Sequence, residues 1–280
     1  MKTKAKIIVC CHKQEDFIWN SEVYMPLHCG AALSNERLDM QRDDAGENIS
    51  RKNRNWCELT GLYWAWKNLP KDIDIAGLNH YRRYFDFSPR IFKRNIYRVT
   101  TGQFRHLPVQ TPDLDSLFPK YDIIIHQPRT VPLRLYDHAS INSVSCVDMD
   151  LLTEVISELT PDYSDAFDRI MKTTNKESQY CMFIAKRQVF DIYCQWLFTV
   201  LEGVESRINI SHYRPYRARI YGFIGEFMLR VFVEKNKLKT GYVPVLYVTD
   251  EEKQESDMVY LLRKIRNQII FKSLYSGLSR

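Results

Sequence analysis

Residues 73–85 read IDIAGLNHYRRYF and join a short apolar run to a cluster of hydrogen-bond donors. The apolar part, residues 73–78, has the length and composition of a buried β-strand. The polar part contains His80, Arg82 and Arg83 immediately after that strand. In open α/β sheets, ligands bind beyond the carboxyl ends of the strands. The pattern therefore predicts a strand that ends at a ligand site.

The charged side chains of this stretch indicate what kind of ligand it would bind. Guanidinium groups bind phosphate oxygens bidentately and stay charged at any working pH. We predict that His80, Arg82 and Arg83 bind the diphosphate of a nucleotide-activated donor, with Asn79 in the donor pocket. The competing interpretation is that the arginines pair with carboxylates or lie on a solvated edge.

Short apolar runs alternate with amphipathic segments along the rest of the chain. We predict strands at residues 6–12, 73–78, 121–126, 179–185 and 243–248, and helices at residues 56–68, 148–159, 186–205, 223–236 and 259–274. This alternation predicts an α/β fold with a mostly parallel central sheet flanked by helices. We expect residues 1–249 to form one domain and residues 250–280 to form a linker and a tail.

The composition limits the classes of protein that the chain can belong to. Of its 280 residues, 45% are apolar and 26% are charged, which is typical of a globular domain. The net charge of +6 suits a polyanionic ligand or an anionic membrane surface without establishing either. The seven cysteines form no CxxC pair, which is typical of a reducing compartment. With no signal-peptide pattern and no spanning apolar segment, we predict a cytoplasmic protein.

The tail has the pattern of a basic amphipathic helix. Its apolar and basic side chains are Leu261, Leu262, Ile265, Ile269, Ile270, Arg263, Lys264, Arg266 and Lys272. Such a helix can lie on an anionic membrane surface, which predicts peripheral attachment. The alternative is a helix that packs on the domain or on a partner protein. Elsewhere the basic residues cluster at strand exits and loops, which favours a pocket over a nucleic-acid track, so we expect no nucleic acid partner.

A transfer to an acceptor hydroxyl requires a carboxylate that removes a proton. Glu226 follows the run GFIG, which we interpret as a flexible turn at a helix start, and we predict that Glu226 is this base. Arg217 and Arg219 lie nearby in the sequence and add positive charge. The alternative is that Glu226 is a first-turn residue favoured by the helix dipole. Asp122 and Glu58 are lesser candidates for the base.

The sequence contains only weak indications of a metal-binding site. Three Asp-x-Asp triplets begin at Asp72, Asp113 and Asp148, but they fall at a strand start, in a loop and at a helix start. We therefore favour neutralisation of phosphate by side chains, with no certain cofactor and a divalent Mn²⁺ or Mg²⁺ ion as the alternative. No Walker loop or GxGxxG is present, which disfavours ATP hydrolysis and dinucleotide redox chemistry.

Five runs of the sequence resemble those of a bacterial family, domain of unknown function 4422. They are NISRKN (48–53), ELTGLYWAWKN (58–68), GLNHYRRYF (77–85), YCMFIAK (180–186) and RIYGFIGE (219–226). The resemblance extends over nearly the whole chain before the tail. The sequence departs from the family pattern at Cys181 and Phe227, where the family usually has Asn and Arg.

This family resembles glycosyltransferases of the GT-A type from capsule and O-antigen gene clusters, and some relatives are galactofuranosyltransferases. The resemblance implies a single GT-A-like domain and a UDP-hexose donor such as UDP-galactofuranose. It also implies a lipid-linked glycan acceptor at the inner face of the plasma membrane. The rival interpretation is a non-catalytic module that binds phosphorylated glycans or nucleic acid.

The remaining candidate residues come from the predicted strand exits and from the runs that carry the resemblance. We place the following in the donor or nucleotide pocket: Val9, Cys10, His12, Asn48, Ser50, Lys52, Glu58, Tyr63 and Asn79. For the first three, the alternative is a core strand with a polar exit. Candidates for binding the acceptor or a phosphate are His126, His138, Arg217 and Arg219. We expect a transfer that inverts the anomeric configuration.

Overall fold

The computed structural model describes residues 3–277 and has a mixed α/β fold. Its strands are β1 (Ala5–Cys11), β2 (Tyr24–His28), β3 (Gln41–Arg42), β4 (Ile75–His80), β5 (Arg83–Phe85), β6 (Ile96–Val99), β7 (Ile123–His126), β8 (Arg129–Thr130), β9 (Lys176–Glu177), β10 (Phe183–Lys186), β11 (Thr240–Val243) and β12 (Val245–Val248). The predicted α/β class is confirmed.

The helices include both long amphipathic segments and single turns. They are α1 (Asn53–Trp56), α2 (Leu59–Asn68), α3 (Thr101–Arg105), α4 (Leu114–Leu117), α5 (Leu135–Asn142), α6 (Cys146–Leu159), α7 (Ser164–Thr173), α8 (Arg187–Glu205), α9 (Ile220–Lys235) and α10 (Asp257–Leu274). Short 3₁₀ helices cover Ala31–Leu33, Ser50–Lys52, Pro161–Tyr163 and Arg217–Arg219. The helix predicted at the C-terminus is confirmed as α10.

The chain divides into two compact units. The first, which we call the sheet unit, comprises residues 3–127, 180–194 and 238–254 of the described chain. The second, the helical unit, comprises the intervening segments and the described tail, and the division falls inside α8. The predicted domain limits at residues 249 and 250 stay a prediction. Residues 1, 2 and 278–280 of those predicted segments lie outside the described residues.

The sheet unit is built on a ten-stranded sheet in which most strands are parallel, as predicted. Its main path runs β11-β7-β10-β4-β1-β2-β3, while β5, β6 and β12 form a branch from β4. Strand β1 pairs in parallel with both β2 and β4, and β11 pairs in parallel with β7. Strand β10 is antiparallel to both its neighbours, β4 and β7. Because β4 and β7 are both antiparallel to β10, they run in the same direction as each other. The carboxyl ends of β1, β2, β4 and β7 therefore lie at one edge of the sheet.

Close backbone packing at the centre of this sheet requires a glycine in β4. A Cβ atom at Gly77 would lie 2.6 Å from the carbonyl oxygen of Phe183 and 3.1 Å from the Cα atom of Ile184. The first distance is shorter than real Cβ contacts. The absence of a side chain at Gly77 therefore lets β10 lie against β4 between the two parallel blocks of the sheet.

The strand predicted at residues 73–78 is observed as β4 (Ile75–His80), so Asn79 and His80 belong to the strand and do not follow it.

Several other predicted boundaries are wrong. The helix predicted at 56–68 is interrupted, because Cys57 has a φ of 52° and separates α1 from α2. The strand predicted at 179–185 begins only at Phe183, because Tyr180 and Cys181 both have positive φ. The last predicted strand is divided at Pro244 into β11 and β12. In each case a local backbone conformation ends an element that hydrophobicity alone would extend.

The helix that carries Glu226 begins earlier than predicted. Helix α9 starts at Ile220, so the GFIG run is helical and Glu226 lies in the second turn. Ile220, Tyr221 and Ile224 are buried, and their burial favours continuing the helix through the two glycines. The prediction of a flexible turn before Glu226 is therefore wrong, and so is its alternative of a first-turn position.

The helical unit packs its helices around aromatic and aliphatic side chains. The ring of Tyr163 stacks on Trp196 with centroids 4.2 Å apart, and Phe232 packs against both rings. Helix α10 joins this unit through Asn267, whose amide nitrogen donates to the carbonyl of Thr130 over 2.8 Å. Among residues 3–277, no helix combines the length and the apolar character needed to cross a membrane.

Candidate functional site

Histidines gather at the shared carboxyl edge of the sheet unit. Strands β2, β4 and β7 end on His28, His80 and His126, and His12 directly follows β1. His28 and His126 are buried. Burial, with the positive charges of Lys13 and Arg82, lowers the pKa of His12. At neutral pH this imidazole is therefore uncharged and can exchange hydrogen bonds without adding positive charge.

Tyr180 reaches the same edge because it precedes the antiparallel strand β10. Its φ of 73° and the φ of 48° at Cys181 place two consecutive non-glycine residues in the left-handed region. Such conformations cost free energy and occur preferentially at functional sites. The carbonyl oxygen of Tyr180 accepts a hydrogen bond from Nε2 of His80 over 2.5 Å. The Tyr180 ring lies 5.7 Å from the ring of His126. His80 thus positions the segment that enters β10.

Arg83 lies between two aromatic rings at this edge. Its guanidinium carbon is 4.3 Å from the ring centroid of Tyr180 and 5.0 Å from that of Tyr247. Arginine stacks on aromatic faces while its donors remain in the guanidinium plane. The Nε atom of Arg83 is buried and has no hydrogen-bond partner among the described residues. The guanidinium of Arg83 thus packs against two rings, while its Nε donor stays unsatisfied among the described residues.

Arg82 has a looser environment. Its guanidinium lies 5.6 Å from the ring of Tyr81 and 3.9 Å from a carboxylate oxygen of Glu15. Glu15 also pairs with Lys13 over 2.6 Å. The Nε atom of Arg82 is buried without a partner in the described part of the chain. The competing interpretation from the sequence, pairing with carboxylates, thus applies in part to Arg82.

Asn79 is the most unusual polar residue of the sheet. The residue has no exposed surface, and neither its amide oxygen nor its amide nitrogen meets a hydrogen-bond partner among residues 3–277. A buried amide without partners costs about 1 to 3 kcal/mol relative to one that is satisfied. Its strand partner in register is Val9, which is also fully buried. Unsatisfied buried groups of this kind call for a specific explanation, of which a ligand is one.

Cys10 and Glu58 lie together where β1 faces the start of α2. The thiol of Cys10 is 3.8 Å from the backbone carbonyl of Glu58. A hydrogen bond with Cys29 and burial hold the pKa of Cys10 well above its ordinary value. Cys10 therefore stays a neutral thiol and is not a nucleophile at neutral pH.

Four of the candidates between residues 48 and 63 contact residues close to them in the sequence. The Ser50 hydroxyl donates to Asp43 over 2.5 Å, and the Asn48 amide donates to the carbonyl of Gly46 over 2.8 Å. Lys52 lies 5.0 Å from the ring of Trp56, and the Tyr63 hydroxyl donates to Glu47 over 3.0 Å. These contacts order the loop, and the predicted binding roles of these side chains stay predictions.

Glu226 and His138 belong to the helical unit, where both line one cavity of about 330 Å³. Arg217 and Arg219 form the 3₁₀ turn before α9. The Arg219 guanidinium lies 5.6 Å from the ring of Phe223, which also lines the cavity. The structure therefore brings Glu226 and His138 together.

The Asp-x-Asp triplets make ordinary structural contacts. Asp72 pairs with Lys4 over 2.5 Å, Asp113 caps α4, and Asp148 accepts a hydrogen bond from Tyr213 over 2.6 Å. Within residues 3–277, no cluster of three or more His, Cys, Asp or Glu side chains could hold a metal ion.

Sequence reasoning missed the two tyrosines that flank Arg83. Tyr180 lies in one of the runs that carry the family resemblance, but the apolar pattern of residues 179–185 predicted only a strand and no contact with Arg83. Tyr247 lies in β12, which pairs with β5 so that Tyr247 stands opposite Arg83. This contact depends on the pairing of β12 with β5, two strands far apart in the chain, and no local sequence pattern predicts that pairing.

The fold and this edge define an α/β protein whose sheet carries basic and aromatic side chains at its carboxyl edge. The family model described as domain of unknown function (DUF4422) matches residues 6–237, and the chain belongs to this family. The fold is similar to the apo structure of WbbM, a bifunctional glycosyltransferase, with a TM-score of 0.80 and 26% sequence identity. The similarity covers 89% of this chain but 46% of that protein, about half its length. No curated protein matches the chain.

Proposed function

We propose that this protein is a glycosyltransferase that moves a hexose from a UDP-sugar to a lipid-linked surface glycan. Membership of the family and the similarity to WbbM support glycosyltransferase activity in general, and the donor and acceptor are part of the proposal. Galactofuranose is the donor sugar we favour, from the family resemblance. The products would be an extended glycan, as in capsule or O-antigen synthesis, and free UDP.

The observation that carries this proposal is a set of buried donors at the carboxyl edge of the sheet. Asn79 Nδ2, Arg82 Nε and Arg83 Nε are buried and have no acceptor among the described residues. Oxygens of a diphosphate are strong acceptors for such donors and match the charge of the guanidinium groups. Ligands of open α/β sheets bind at this edge. A nucleotide diphosphate would therefore satisfy groups that otherwise cost stability.

In the proposed reaction, the acceptor hydroxyl attacks the anomeric carbon of the donor sugar. The bond from that carbon to the diphosphate oxygen breaks, and UDP leaves with the electron pair. Arg82 and Arg83 would stabilise the charge that develops on UDP, by about 3 kcal/mol for each well-placed donor. Glu226 would take the proton of the hydroxyl as general base. One direct displacement inverts the anomeric configuration.

We also propose that α10 attaches the enzyme to the inner face of the plasma membrane. The helix exposes Leu262, Ile265 and Ile269, and Lys264 and Lys272 are exposed on the same helix. Exposed apolar and basic side chains on one helix suit an anionic lipid surface. This attachment would bring the enzyme to a lipid-linked acceptor.

The experiment that tests the donor site measures the thermal stabilisation of the protein by UDP. A ligand that binds only the folded state raises the melting temperature by mass action. We expect UDP to stabilise the wild-type protein and Arg83→Ala to lose most of that shift. Arg105→Ala is the matched control, because Arg105 pairs with an exposed Asp16 in the same unit. An undiminished UDP shift in Arg83→Ala would refute the phosphate assignment.

The same measurement with several UDP-sugars, EDTA and Mn²⁺ defines the chemistry further. Stabilisation that survives EDTA would support binding without a metal and would identify the donor. A shift seen only with Mn²⁺ would mean that a metal takes part. If no nucleotide stabilises the wild-type protein, a non-catalytic binding module becomes the better explanation. Release of UDP together with a gain of one hexose in the mass of the acceptor glycan would establish transfer rather than hydrolysis of the donor.

A further inference from the structure

The cavity of the helical unit contains polar groups that the proposed reaction does not use. Its volume of about 330 Å³ is near the lower end of the range for small-molecule sites, roughly 300 to 1,000 Å³. Ser178 and Gln179 line it together with residues of α5 and α9. Ser178 is 3% exposed, and its hydroxyl has no hydrogen-bond partner in the described part of the chain. The side-chain oxygen of Gln179 is likewise buried without a partner there.

The carboxylate of Glu177 has charged and polar partners within this cavity. Glu177 pairs with Arg129 and lies 3.3 Å from Nε2 of His138. Burial alone raises the pKa of Glu177, but the hydrogen bond with His138 and the charge of Arg129 outweigh it, so the pKa is lowered. Glu177 is therefore ionised at neutral pH and neutralised by its partners. Glu226 adds a further acidic side chain to the lining. This arrangement suits a neutral polar ligand better than a phosphate.

Aromatic side chains complete the lining. The rings of Tyr216 and Phe223 are 5.0 Å apart and inclined by 48°. Tyr216 is 56% exposed, so an apolar ring face remains available to a ligand. Aromatic faces pack against the C–H surface of a sugar ring, while polar side chains fix its hydroxyls. A pocket with both kinds of group is suited to a saccharide.

We propose that this cavity binds one neutral hexose unit of the acceptor glycan, with the Ser178 hydroxyl and the Gln179 carbonyl bonded to sugar hydroxyls and Tyr216 against the ring. A sugar hydroxyl both donates and accepts, so one hexose can satisfy both buried groups at once. The assignment of this hexose to the acceptor glycan rests on the proposed transferase function. The proposal that the cavity binds a hexose is independent of that function.

The test is ligand-observed saturation-transfer NMR with full-length protein and four glycosides. The probes are methyl β-D-galactopyranoside, methyl β-D-glucopyranoside, methyl α-D-mannopyranoside and the methyl β-glycoside of N-acetylglucosamine. We expect the wild-type protein to bind at least one of them. Ser178→Ala and Tyr216→Ala should each weaken that binding by about five- to tenfold, as for the loss of one hydrogen bond or one packing contact. Ser178 lacks a partner in the described chain and Tyr216 is exposed, so both variants should fold.

Matched controls are Ser157→Ala on the exposed side of α6 and Tyr242→Ala on β11, whose side chains are outside the cavity. Both should bind the glycoside as the wild type does. The proposal is overturned if none of the four glycosides binds, or if Ser178→Ala and Tyr216→Ala bind as tightly as the controls.

UDP stabilisation of the same variants separates this inference from the proposed function. We expect UDP to stabilise Ser178→Ala and Tyr216→Ala as it stabilises the wild type, because neither residue is among the proposed diphosphate-binding residues. UDP binding without glycoside binding would overturn the hexose site alone. Glycoside binding without any UDP response would overturn the transferase and leave a saccharide-binding site.

Discussion

Asn79 shows how one residue can oppose stability and favour function. Its amide is fully buried with neither atom bonded to a described group, in the strand that leads to His80. A leucine has the same number and branching of side-chain heavy atoms and would leave no unsatisfied polar group. Folding stability alone would therefore favour an apolar residue at this position, whereas binding of a polar ligand would favour the amide.

We predict that Asn79→Leu raises the free energy of unfolding by about 1 kcal/mol, since it removes an unsatisfied buried amide. The same change should reduce the thermal shift produced by UDP. Urea denaturation and thermal melts measure the two effects. Asn175→Leu is the control, because the Asn175 amide donates to the Val131 carbonyl over 2.8 Å and its loss should destabilise the protein. Equal destabilisation by both substitutions would contradict this account of Asn79.

Glu177 provides a prediction about pH. Its folded-state pKa is lowered by His138 and Arg129 from an ordinary value of 4.5, although burial opposes this shift. The unfolded state then binds more protons as the pH falls through that value. The stabilisation from the carboxylate is therefore present above pH 4.5 and is lost as the pH falls through the lower folded-state pKa.

We expect Glu177→Gln to lower the free energy of unfolding at pH 7 and to lose this deficit progressively below pH 4.5. Urea titrations between neutral and acid pH measure the difference from wild type. The control is Glu158→Gln, whose exposed carboxylate pairs with Arg207 and should contribute little. A difference that stays constant with pH would show that the packing of Glu177, rather than its charge, matters.

At the scale of elements, the sheet depends on the pairing of β4 with β10. The apolar run at residues 73–78 was sufficient to predict β4, since its pattern is local. The direction of β10 was not predictable, because it depends on pairing with strands distant in sequence. The same limit explains α9, where burial of Ile220 and Ile224 by tertiary packing extends the helix through two glycines.

We predict that Gly77→Ala lowers the free energy of unfolding by about 2 kcal/mol. The new Cβ would meet the Phe183 carbonyl oxygen at 2.6 Å, and neither strand can move without disturbing its neighbours. Gly102→Ala is the matched control, because the nearest atom to its Cβ is 4.0 Å away. In the short helix α3 that change should be neutral or stabilise by up to about 1 kcal/mol. Urea denaturation followed by tryptophan fluorescence compares the two, and equal effects would refute the close-packing argument.

At the scale of the whole molecule, helix α10 has one side packed on the protein and another side exposed. Helix α10 packs on the helical unit through buried Tyr260 and Asn267, as one sequence-based alternative held. It also leaves Leu262, Ile265 and Ile269 more than half exposed. An exposed apolar stripe on a monomer usually marks an interaction surface. The proposed partner is the anionic lipid surface.

We predict that the double variant Ile265→Glu, Ile269→Glu loses sedimentation with phosphatidylglycerol vesicles. Each isoleucine withdrawn from lipid costs about 1.5 to 3 kcal/mol, so affinity should fall by at least a hundredfold. Ile192→Glu is the control, because Ile192 is 46% exposed on α8. Binding should also weaken with salt, through screening of the lysines. No sedimentation of the wild-type protein, or equal sedimentation of the double variant, would rule out the lipid surface.

The sequence by itself determined the α/β class, a buried strand that leads into the donor-rich residues 79–84, and the amphipathic pattern of the tail. These follow from hydrophobic periodicity and from the order of residues along one element, which are local properties. Only the tertiary structure decided that Tyr180 and Tyr247 enclose Arg83, and that Ser178, Gln179 and Glu226 share a cavity. Those contacts join residues far apart in the chain, and they depend on strand direction and helix packing, which no local pattern encodes.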